Sequence, residues 1–332
     1  MGSYFAKKKE ERANRKAYEL LMRETHGSSP KDRAKRLGKS IWENRFFYAS
    51  LIPAMILLLI FAYEPMYGVI LAFKRYSYKL GITGSPWVGF VNFNELFEQE
   101  EFWSAFRNTF VINLLKLGVS FPLTIILAVQ INAIRSKPYK TFIQTCVYLP
   151  HFVSWVVVSG IIFSLFDESS GPIYNFLLSM GIKTNVFGDG NQFVSLLVLS
   201  DLWKEVGWGT IIYLAALSSI PPEYYEAAEI DGANIVQQFF RITLPELMPT
   251  MSIVLLLRVG SLIGGGFDQI YNLYNSQVYD KGDVIDTYLY RIGIGDGNFA
   301  LGTAAGLFES LSNLVLLIGA AIIIARIKKK VE

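Results

Sequence analysis

Long apolar runs separated by short polar segments make up most of this chain. Six runs are long enough to cross a hydrocarbon layer of about 30 Å, which takes roughly 20 helical residues. They span residues 46–73, 110–134, 142–166, 193–217, 247–267 and 299–325. A soluble domain could not bury six helices that are apolar on nearly every face. The pattern therefore predicts an all-α integral membrane protein with six transmembrane helices.

Composition and the place of the first run agree with this prediction. Of 332 residues, 52% are hydrophobic and 18% are charged, against a usual charged share of about 25% in soluble domains. The first run follows a polar tail of 45 residues and precedes no small-residue cleavage pattern, so we predict a retained anchor. The single cysteine, Cys146, provides neither a disulfide within the chain nor a cysteine metal site.

Basic residues cluster in three places that indicate the orientation. The tail before the first run holds 13 of the 31 Lys and Arg residues, the link between runs two and three carries Arg135, Lys137 and Lys140, and the C-terminus is basic. Lys and Arg in short loops mark the cytoplasmic side, and six crossings place all three regions there. We predict a basic cytoplasmic tail at 1–45, a transmembrane domain at 46–327 and a basic cytoplasmic C-terminus at 328–332.

The predicted cytoplasmic loop at 218–246, called the acidic loop below, breaks this charge pattern. It contains one basic residue, Arg241, and five acidic ones, Glu223, Glu226, Glu229, Asp231 and Glu246. Anionic lipid headgroups attract basic segments, so a loop of this composition is a poor lipid partner. A protein partner and a simply solvated loop are the two interpretations that the composition allows.

The local sequence of the acidic loop predicts a helix–turn–helix. Pro221-Pro222 favours a helix start and Asp231-Gly232 a helix stop. We expect a second short helix from about residue 234 to 241, broken by Pro245 before the fifth run. Small residues at the centre, among them Ala227 and Ala228, would let a partner backbone approach closely.

The spacing in this loop resembles the EAA loop of the membrane subunits of binding-protein-dependent ABC importers. Glu226-Ala227-Ala228 is followed after three residues by Gly232 and after nine more by Ile242-Thr243-Leu244-Pro245. Residues 87–109 resemble the maltose-type sugar permeases, and "DLWKEVGWGTIIYLAAL" at 201–217 and "GGGFDQIYNLYN" at 264–275 resemble their oligosaccharide and polysaccharide branch. The resemblance covers roughly residues 45–325 and implies a type I importer permease fold.

The resemblance also implies partners and a role for the acidic loop. In that family this loop, between helices 5 and 6 of the family core and here between crossings 4 and 5, is a coupling helix seated in a cleft of an ATPase subunit. The implied docking residues are Glu226, Ala227, Ala228 and Gly232, with Leu244 and Pro245 fixing the return to the membrane. The implied partners in a bacterial cytoplasmic membrane are a second homologous permease subunit, two cytoplasmic ATPase subunits and an extracellular solute-binding protein that delivers an oligosaccharide.

Catalytic motifs are absent from the sequence. It contains no G-x-x-x-x-G-K-[ST] phosphate loop, no H-E-x-x-H and no G-x-S-x-G. We therefore expect a transport subunit that is not an enzyme, with no catalytic residue, metal, cofactor or nucleic-acid partner of its own. ATP and Mg²⁺ would be bound by the ATPase subunits.

Charged residues within the apolar runs are the candidates for substrate contact, because such residues usually face a cavity or a partner helix. Asp201, Lys204, Glu205 and Trp208 recur at helical spacing on one face, which should point inward. Hydrogen-bonding and aromatic side chains suit a neutral sugar. The predicted substrate-binding residues are Asp201, Trp203, Lys204, Glu205, Trp208, Tyr213, Arg258, Phe267, Asp268 and Gln269.

Several alternatives stay open at this point. Asp201 with Lys204, or Arg258 with an acidic partner, could be structural ion pairs between helices. The glycines at 264–266 could mark a helix break that lines a cavity or could allow close helix packing. An ion-coupled secondary transporter that uses Asp201, Glu205 or Glu309 is one rival function, and a membrane scaffold or sensor is another.

Overall fold

The computed structural model describes residues 42–331, with side chains up to residue 326. This part of the chain is all-helical, and its one isolated β-bridge joins Lys74 and Trp87. It divides after Tyr67 into two units. The predicted basic tail at 1–45 and basic C-terminus at 328–332 lie almost entirely outside the described side chains.

The helices are numbered in chain order. The first seven are α1 (Arg45–Phe73), α2 (Gly81–Gly84), α3 (Val91–Phe97), α4 (Glu100–Ala133), α5 (Lys137–Phe152), α6 (Trp155–Leu165) and α7 (Pro172–Ser179). They are followed by α8 (Gly190–Leu217), α9 (Pro222–Ile230), α10 (Ile235–Val259), α11 (Phe267–Leu273), α12 (Tyr279–Gly282), α13 (Ile285–Leu289) and α14 (Phe299–Val331). A 3-10 turn covers Ser276–Val278, and a π turn covers Tyr290–Gly295.

Four of the described helices, α1, α4, α10 and α14, are long and apolar enough to cross a membrane, and the bent pair α5–α6 would make a fifth span. Helix α8 has 28 residues, which is also a sufficient length, but it carries Asp201, Lys204 and Glu205 in its middle. The multi-pass helical prediction is confirmed at this level. The count of six crossings stays a prediction.

The third apolar run is not one straight helix. α5 ends in a 3-10 turn that contains Pro150. The next two residues, Val153 and Ser154, are extended, and α6 then continues at an angle of 96° to α5. The Ser154 side chain accepts a hydrogen bond from the Val157 amide and so caps α6. Proline and a serine N-cap thus break the run that hydropathy alone joins.

The fifth run begins earlier and ends earlier than the sequence predicts. α10 continues without interruption from Ile235, through a π turn at Phe239–Thr243, to Val259. The expected break at Pro245 is therefore wrong: Pro245 follows the π turn at the start of the next α-helical segment, where a missing amide proton is tolerated. The helix ends at Val259, and the rest of the predicted run contains Gly264, Gly265 and Gly266, whose φ values of 121°, 94° and 90° no helix can contain.

Helices α4 and α8 form the centre of the second unit. Their contact is close, because a Cβ on Gly209 of α8 would lie 3.0 Å from the Thr124 side chain of α4. α8 also packs closely on α5, where a Cβ on Gly207 would lie 1.9 Å from the Val147 carbonyl oxygen. Two apolar clusters lie along the pair. One contains Ile112, Phe193, Leu197, Ile270 and Leu273, and the other contains Ile125, Ala128, Tyr213, Leu217 and Leu247. Most of the buried residues between the clusters are polar, among them Lys116, Ser200 and Lys204, and this is where the candidate site lies.

Candidate functional site

A layer of polar side chains separates the two apolar clusters. We call Lys116, His151, Asp201, Lys204, Glu205 and Gln269 the polar layer. Lys116 of α4 reaches Asp201 of α8 at 3.4 Å and also donates to the Gln269 side-chain oxygen. Gln269 donates in turn to the Leu197 carbonyl at 2.8 Å and to the Ser200 hydroxyl at 2.9 Å. These bonds join α4, α8 and α11 across the break at the three glycines.

The other half of the polar layer fixes the bend between α5 and α6. Lys204 donates to the His151 carbonyl oxygen at 2.6 Å and lies 3.3 Å from Glu205, which contacts the His151 ring at 2.9 Å. The His151 ring stacks on Trp208, with 4.4 Å between centroids and an angle of 3°. Buried polar groups are stable only when paired, and here each is paired within the chain.

A first cavity of about 180 Å³ opens beside the polar layer. Its walls come from α4, α8, the end of α10 and the glycine break. The lining residues are Asn113, Lys116, Leu117, Ser120, Asp201, Arg258, Ser261, Leu262, Gly264, Gly265 and Gly266. The wall of this cavity therefore presents charged groups, hydroxyl groups and the backbone of the three glycines.

A second cavity of about 440 Å³ adjoins the first and is mostly apolar. It is lined by Leu117, Ser120, Phe121, Thr124, Trp208, Gly209, Ile211, Ile212, Tyr213, Val254, Leu257 and Arg258. Leu117, Ser120 and Arg258 line both cavities and form their shared wall. Small-molecule pockets are usually lined by apolar and aromatic side chains with a few polar groups, as this cavity is.

The structure brings four of the ten predicted substrate residues to the cavities. Asp201 lines the first cavity, Trp208 and Tyr213 line the second, and Arg258 lines both. Lys204, Glu205 and Gln269 belong to the polar layer but line neither cavity.

The remaining three predicted residues lie apart from the cavities. Trp203 faces a separate groove with Cys146 and Pro150. Phe267 and Asp268 start α11, where Phe267 stacks on Tyr271 with 5.0 Å between centroids. The shared inward face predicted for α8 therefore holds for the residues of the polar layer and for Trp208, and Trp203 lies outside it.

The ion pairs differ from those that the sequence suggested. Asp201 pairs with Lys116 and not with Lys204, whose carboxylate contact is Glu205. Arg258 has no carboxylate of the described chain within 4.0 Å. Lys116 was not among the predicted site residues, although its signal was present: Asn113, Lys116, Ser120 and Thr124 recur at intervals of three and four along α4.

The glycine break is held in a fixed conformation by polar contacts. The Gly265 amide donates to the Asp286 carboxylate at 2.7 Å, and the Ile263 amide donates to the Asn313 side chain at 2.9 Å. A Cβ on Gly264 would come within 2.3 Å of the Glu309 carboxylate. Both sequence interpretations are therefore correct here, because the glycines form a break that lines a cavity and also allow α14 to approach closely.

The segment after α11 carries an ordered polar contact outside the apolar runs. Arg291 donates to both carboxylate oxygens of Asp283, at 2.6 and 3.2 Å, and its guanidinium lies 4.7 Å from the Tyr279 ring centre. Burial opposes the charge on Arg291, but the hydrogen bonds and the negative charge of Asp283 raise its pKa above the usual value. Asn108 of α4 donates to the Asp280 and Asp283 carbonyls and ties this segment to the helix pair.

The acidic loop has the predicted helix–turn form at its first helix. α9 ends at Ile230, Gly232 has φ 77°, and the Ala233 amide donates to the Ala228 carbonyl at 2.8 Å. A capping box between Asn234 and Gln237 then starts α10. The Tyr225 hydroxyl lies 2.9 Å from the Thr243 hydroxyl, and this hydrogen bond joins α9 to α10.

The surface of the acidic loop combines carboxylates with exposed apolar side chains. Ile230 and Ile235, on either side of the turn, are 87% and 83% exposed. Of the predicted docking residues, Glu226, Ala227, Gly232 and Pro245 are exposed, and Ala228 and Leu244 are half-buried. Val236 and Phe240, which follow in α10, are also 63% and 60% exposed. Several large apolar side chains exposed in one short segment are typical of a contact surface.

Fold and site together define a multi-pass helical membrane protein whose central helices line two adjoining cavities, one with charged groups and one mostly apolar. Residues 120–329 match the family described as binding-protein-dependent transport system inner membrane component. The chain belongs to this family, and the resemblance to importer permeases that the sequence carries is confirmed.

Individual relatives extend the match over most of the chain. Protein LplB of Bacillus subtilis (strain 168) is 41% identical over 278 residues, which are 83% of this chain and 87% of that protein. The polygalacturonan/rhamnogalacturonan transport system permease protein YteP of the same organism is 37% identical over 287 residues, 86% of this chain and 89% of its own length. A chain in the crystal structure of a bacterial alginate ABC transporter in complex with alginate pentasaccharide-bound periplasmic protein has a TM-score of 0.80 at 39% identity, covering 89% of this chain and 99% of that chain.

Proposed function

We propose that this chain is the permease subunit of an ATP-driven importer that moves oligosaccharides delivered by an external solute-binding protein. The observation that carries the proposal is the pair of adjoining cavities beside the polar layer, in a chain that belongs to the importer family. Relatives named for polygalacturonan, rhamnogalacturonan and alginate support a saccharide cargo.

The cavities supply groups that a saccharide needs. Asn113, Ser120 and Ser261 offer hydrogen-bonding side chains, and Trp208 offers an aromatic plate. In the proposed path the sugar contacts Asp201, Trp208, Tyr213 and Arg258. Lys204, Glu205 and Gln269 act indirectly, since their hydrogen bonds position the helices that line the cavities.

The acidic loop is the proposed attachment to a motor. Its turn exposes Ile230 and Ile235 beside carboxylates, and Gly232 gives it a fixed shape. Glu226, Ala227, Ala228 and Gly232 would dock on a cytoplasmic ATPase subunit, and Leu244 and Pro245 would lead the chain back to the membrane. ATP and Mg²⁺ would be bound by two such subunits, and a second homologous permease subunit would complete the pathway.

The proposed arrangement in the inner membrane has six crossings, with α8 and the bent pair α5–α6 each counting as one. A polar helix such as α8 is acceptable in a membrane when its charges face a cavity or other helices, and its charges here are paired. Both termini and the acidic loop would then be cytoplasmic, with the domain boundaries predicted from the sequence.

Uptake into proteoliposomes tests this function. The complete importer, with its partner subunits and solute-binding protein, should accumulate a labelled oligosaccharide only when ATP is present at the ATPase subunits, and a protonophore should leave the rate unchanged. Uptake that continues without ATP and stops when the proton gradient collapses would establish the ion-coupled alternative instead.

A further inference from the structure

Trp208 forms part of the wall of the second cavity, and two rings from the end of α5 pack against its indole. The His151 ring lies parallel to the indole, with 4.4 Å between centroids and 3° between planes. Phe152 packs nearly at right angles to both rings, 5.5 Å from Trp208 and 5.7 Å from His151. Trp208 is still 40% exposed. The part of the indole that these two rings leave uncovered therefore borders the cavity.

The His151 ring is itself held in place by a carboxylate. Its Nδ1 atom lies 2.9 Å from one side-chain oxygen of Glu205, and Nδ1 donates in this bond because a carboxylate only accepts. The other side-chain oxygen of Glu205 lies 3.3 Å from Lys204 Nζ. Both oxygens of Glu205 are thus engaged. The hydrogen bond and the stack on Trp208 together fix the plane of the imidazole.

The backbone at His151 is fixed by the same lysine. His151 lies in the 3-10 turn Leu149–Phe152 that ends α5, and the last carbonyl oxygens of a helix lack donors within the helix. Lys204 Nζ donates to the His151 carbonyl oxygen at 2.6 Å, and Lys204 is only 5% exposed. Lys204 and Glu205 belong to α8, which also carries Trp208. Helix α8 thus holds its own tryptophan through a residue of α5.

We infer that His151 is a positioning residue, which fixes the Trp208 indole as the surface of the second cavity on which a sugar ring stacks. This role rests on the proposed function and deepens it. The C–H face of a pyranose ring is attracted to the negative face of an aromatic ring. An indole that is ordered before the sugar arrives also lowers the entropic cost of binding.

The same role explains two charges in the middle of α8 that line neither cavity. Lys204 and Glu205 make no contact with a sugar in the proposed path, yet charged residues within membrane helices are costly. In this arrangement they act on the cavity through His151. Lys204 fixes its backbone and Glu205 fixes its ring.

Two substitutions of His151 separate the ring from the hydrogen bond. His151→Ala removes the ring, and His151→Phe keeps a flat ring but loses the bond to Glu205. Lys204 and Glu205 still pair with each other in both variants, so neither leaves a buried charge alone. Phe163→Ala is the matched control, because Phe163 takes part in another stacked pair of the chain, at 4.7 Å, and lines neither cavity.

Electron cryo-microscopy of the importer complex in nanodiscs shows the indole directly, without any saccharide. The density of the Trp208 side chain should be well ordered in wild type and in Phe163→Ala. It should be weaker in His151→Phe. In His151→Ala the indole should be disordered or in another rotamer, because nothing then holds its covered face.

A double-mutant cycle on uptake separates positioning from stability. Proteoliposomes with ATP receive solute-binding protein loaded with trigalacturonate, an alginate pentasaccharide or maltotriose. His151→Ala should slow initial uptake about twofold to tenfold, as expected for loss of an aromatic contact, and His151→Phe should recover part of the rate. Combining His151→Ala with Trp208→Ala should match Trp208→Ala alone within about twofold, because nothing is left to position. Phe163→Ala should match wild type.

Two results would overturn the positioning role. One is an ordered and unmoved Trp208 indole in His151→Ala. The other is a double variant whose loss is the product of the two single losses, which would show that His151 acts on the chain independently of Trp208. If His151→Ala fails to assemble, the same two comparisons are made with His151→Phe. A wild-type complex that takes up none of the probes would contradict the proposed function instead, and the density of the indole would still decide whether His151 positions it.

Discussion

The polar layer and the acidic loop are both rich in charge, but the charged side chains of the layer pair with each other, whereas those of the loop are exposed. In the polar layer each charged group has a partner within the chain, such as Asp201 for Lys116 or Glu205 for Lys204. In the acidic loop the carboxylates face solvent, and Ile230 and Ile235 are almost fully exposed. Changes in the polar layer should therefore alter this chain itself. Changes in the loop should alter only what binds to it.

The largest expected effect is on coupling. Ala228→Arg places a long charged side chain on the half-buried face of α9. Gly232→Asp places a charged side chain at the exposed turn, at a φ of 77° that Asp tolerates better than most residues. Each variant should abolish stimulation of ATPase activity by the solute-binding protein and leave membrane insertion intact. Glu223→Gln, at the other end of α9, is the matched control and should keep stimulation.

A variant of Ala228 or Gly232 that is stimulated normally would remove the acidic loop from the coupling mechanism. A variant that fails to insert would contradict the comparison in another way, because the loop would then contribute to the stability of this chain.

The second effect concerns stability at the polar layer. Lys116→Met leaves Asp201 without its cation, and loss of one partner of a buried pair costs about 3–5 kcal/mol. The melting temperature of the nanodisc-held chain should fall accordingly, and combining Lys116→Met with Asp201→Asn should recover part of the loss. Asp201→Asn alone should impair uptake while the subunits still assemble.

The matched control on the surface is Arg75→Met, because Arg75 pairs with Glu95 at 3.7 Å and both are exposed. Surface pairs contribute little, about 0–1 kcal/mol. If Lys116→Met and Arg75→Met destabilise the chain equally, the polar layer does not hold the helices together.

The smallest effect separates two tryptophans of α8. Trp208 lines the second cavity and stacks on His151, whereas Trp203 lies in a separate groove. An aromatic contact contributes about 0.5–1.5 kcal/mol, so Trp208→Ala should slow uptake by about threefold to tenfold. Trp203→Ala should leave uptake within about twofold of wild type, because the loss of a side chain outside the cavities removes no such contact. If Trp208→Ala and Trp203→Ala change the initial uptake rate equally, the position of Trp208 in the cavity does not contribute to transport.

The sequence predicted the helical membrane class and most of the runs, because apolar length is a property that a single segment displays. It placed α1, α8 and α14 within a few residues of their observed starts. It missed the bend at Pro150 and the early end of α10. The hydropathy stays high at the bend after Pro150 and beyond the end of α10. A hydropathy pattern does not register a serine N-cap or the positive φ values of three glycines, so it could not reveal either break.

The candidate site was predictable only along single helices. Helical spacing correctly placed Asp201, Lys204 and Glu205 in one polar region, but it could not show that the cation facing Asp201 is Lys116 of a different helix. Trp203 was assigned to the site by its residue type, and its position on α8 turns it away from the cavities. Contacts between helices depend on crossing geometry, which spacing within one helix does not record.

The most direct test of the account is the accessibility of the acidic loop in the working complex. A cysteine is placed at Ile235 in a chain whose native Cys146 is replaced by serine, and its rate of maleimide labelling is measured with and without the ATPase subunits. We expect fast labelling of the isolated chain and strong protection in the complex. Equal, fast labelling in both samples during ATP turnover would contradict it.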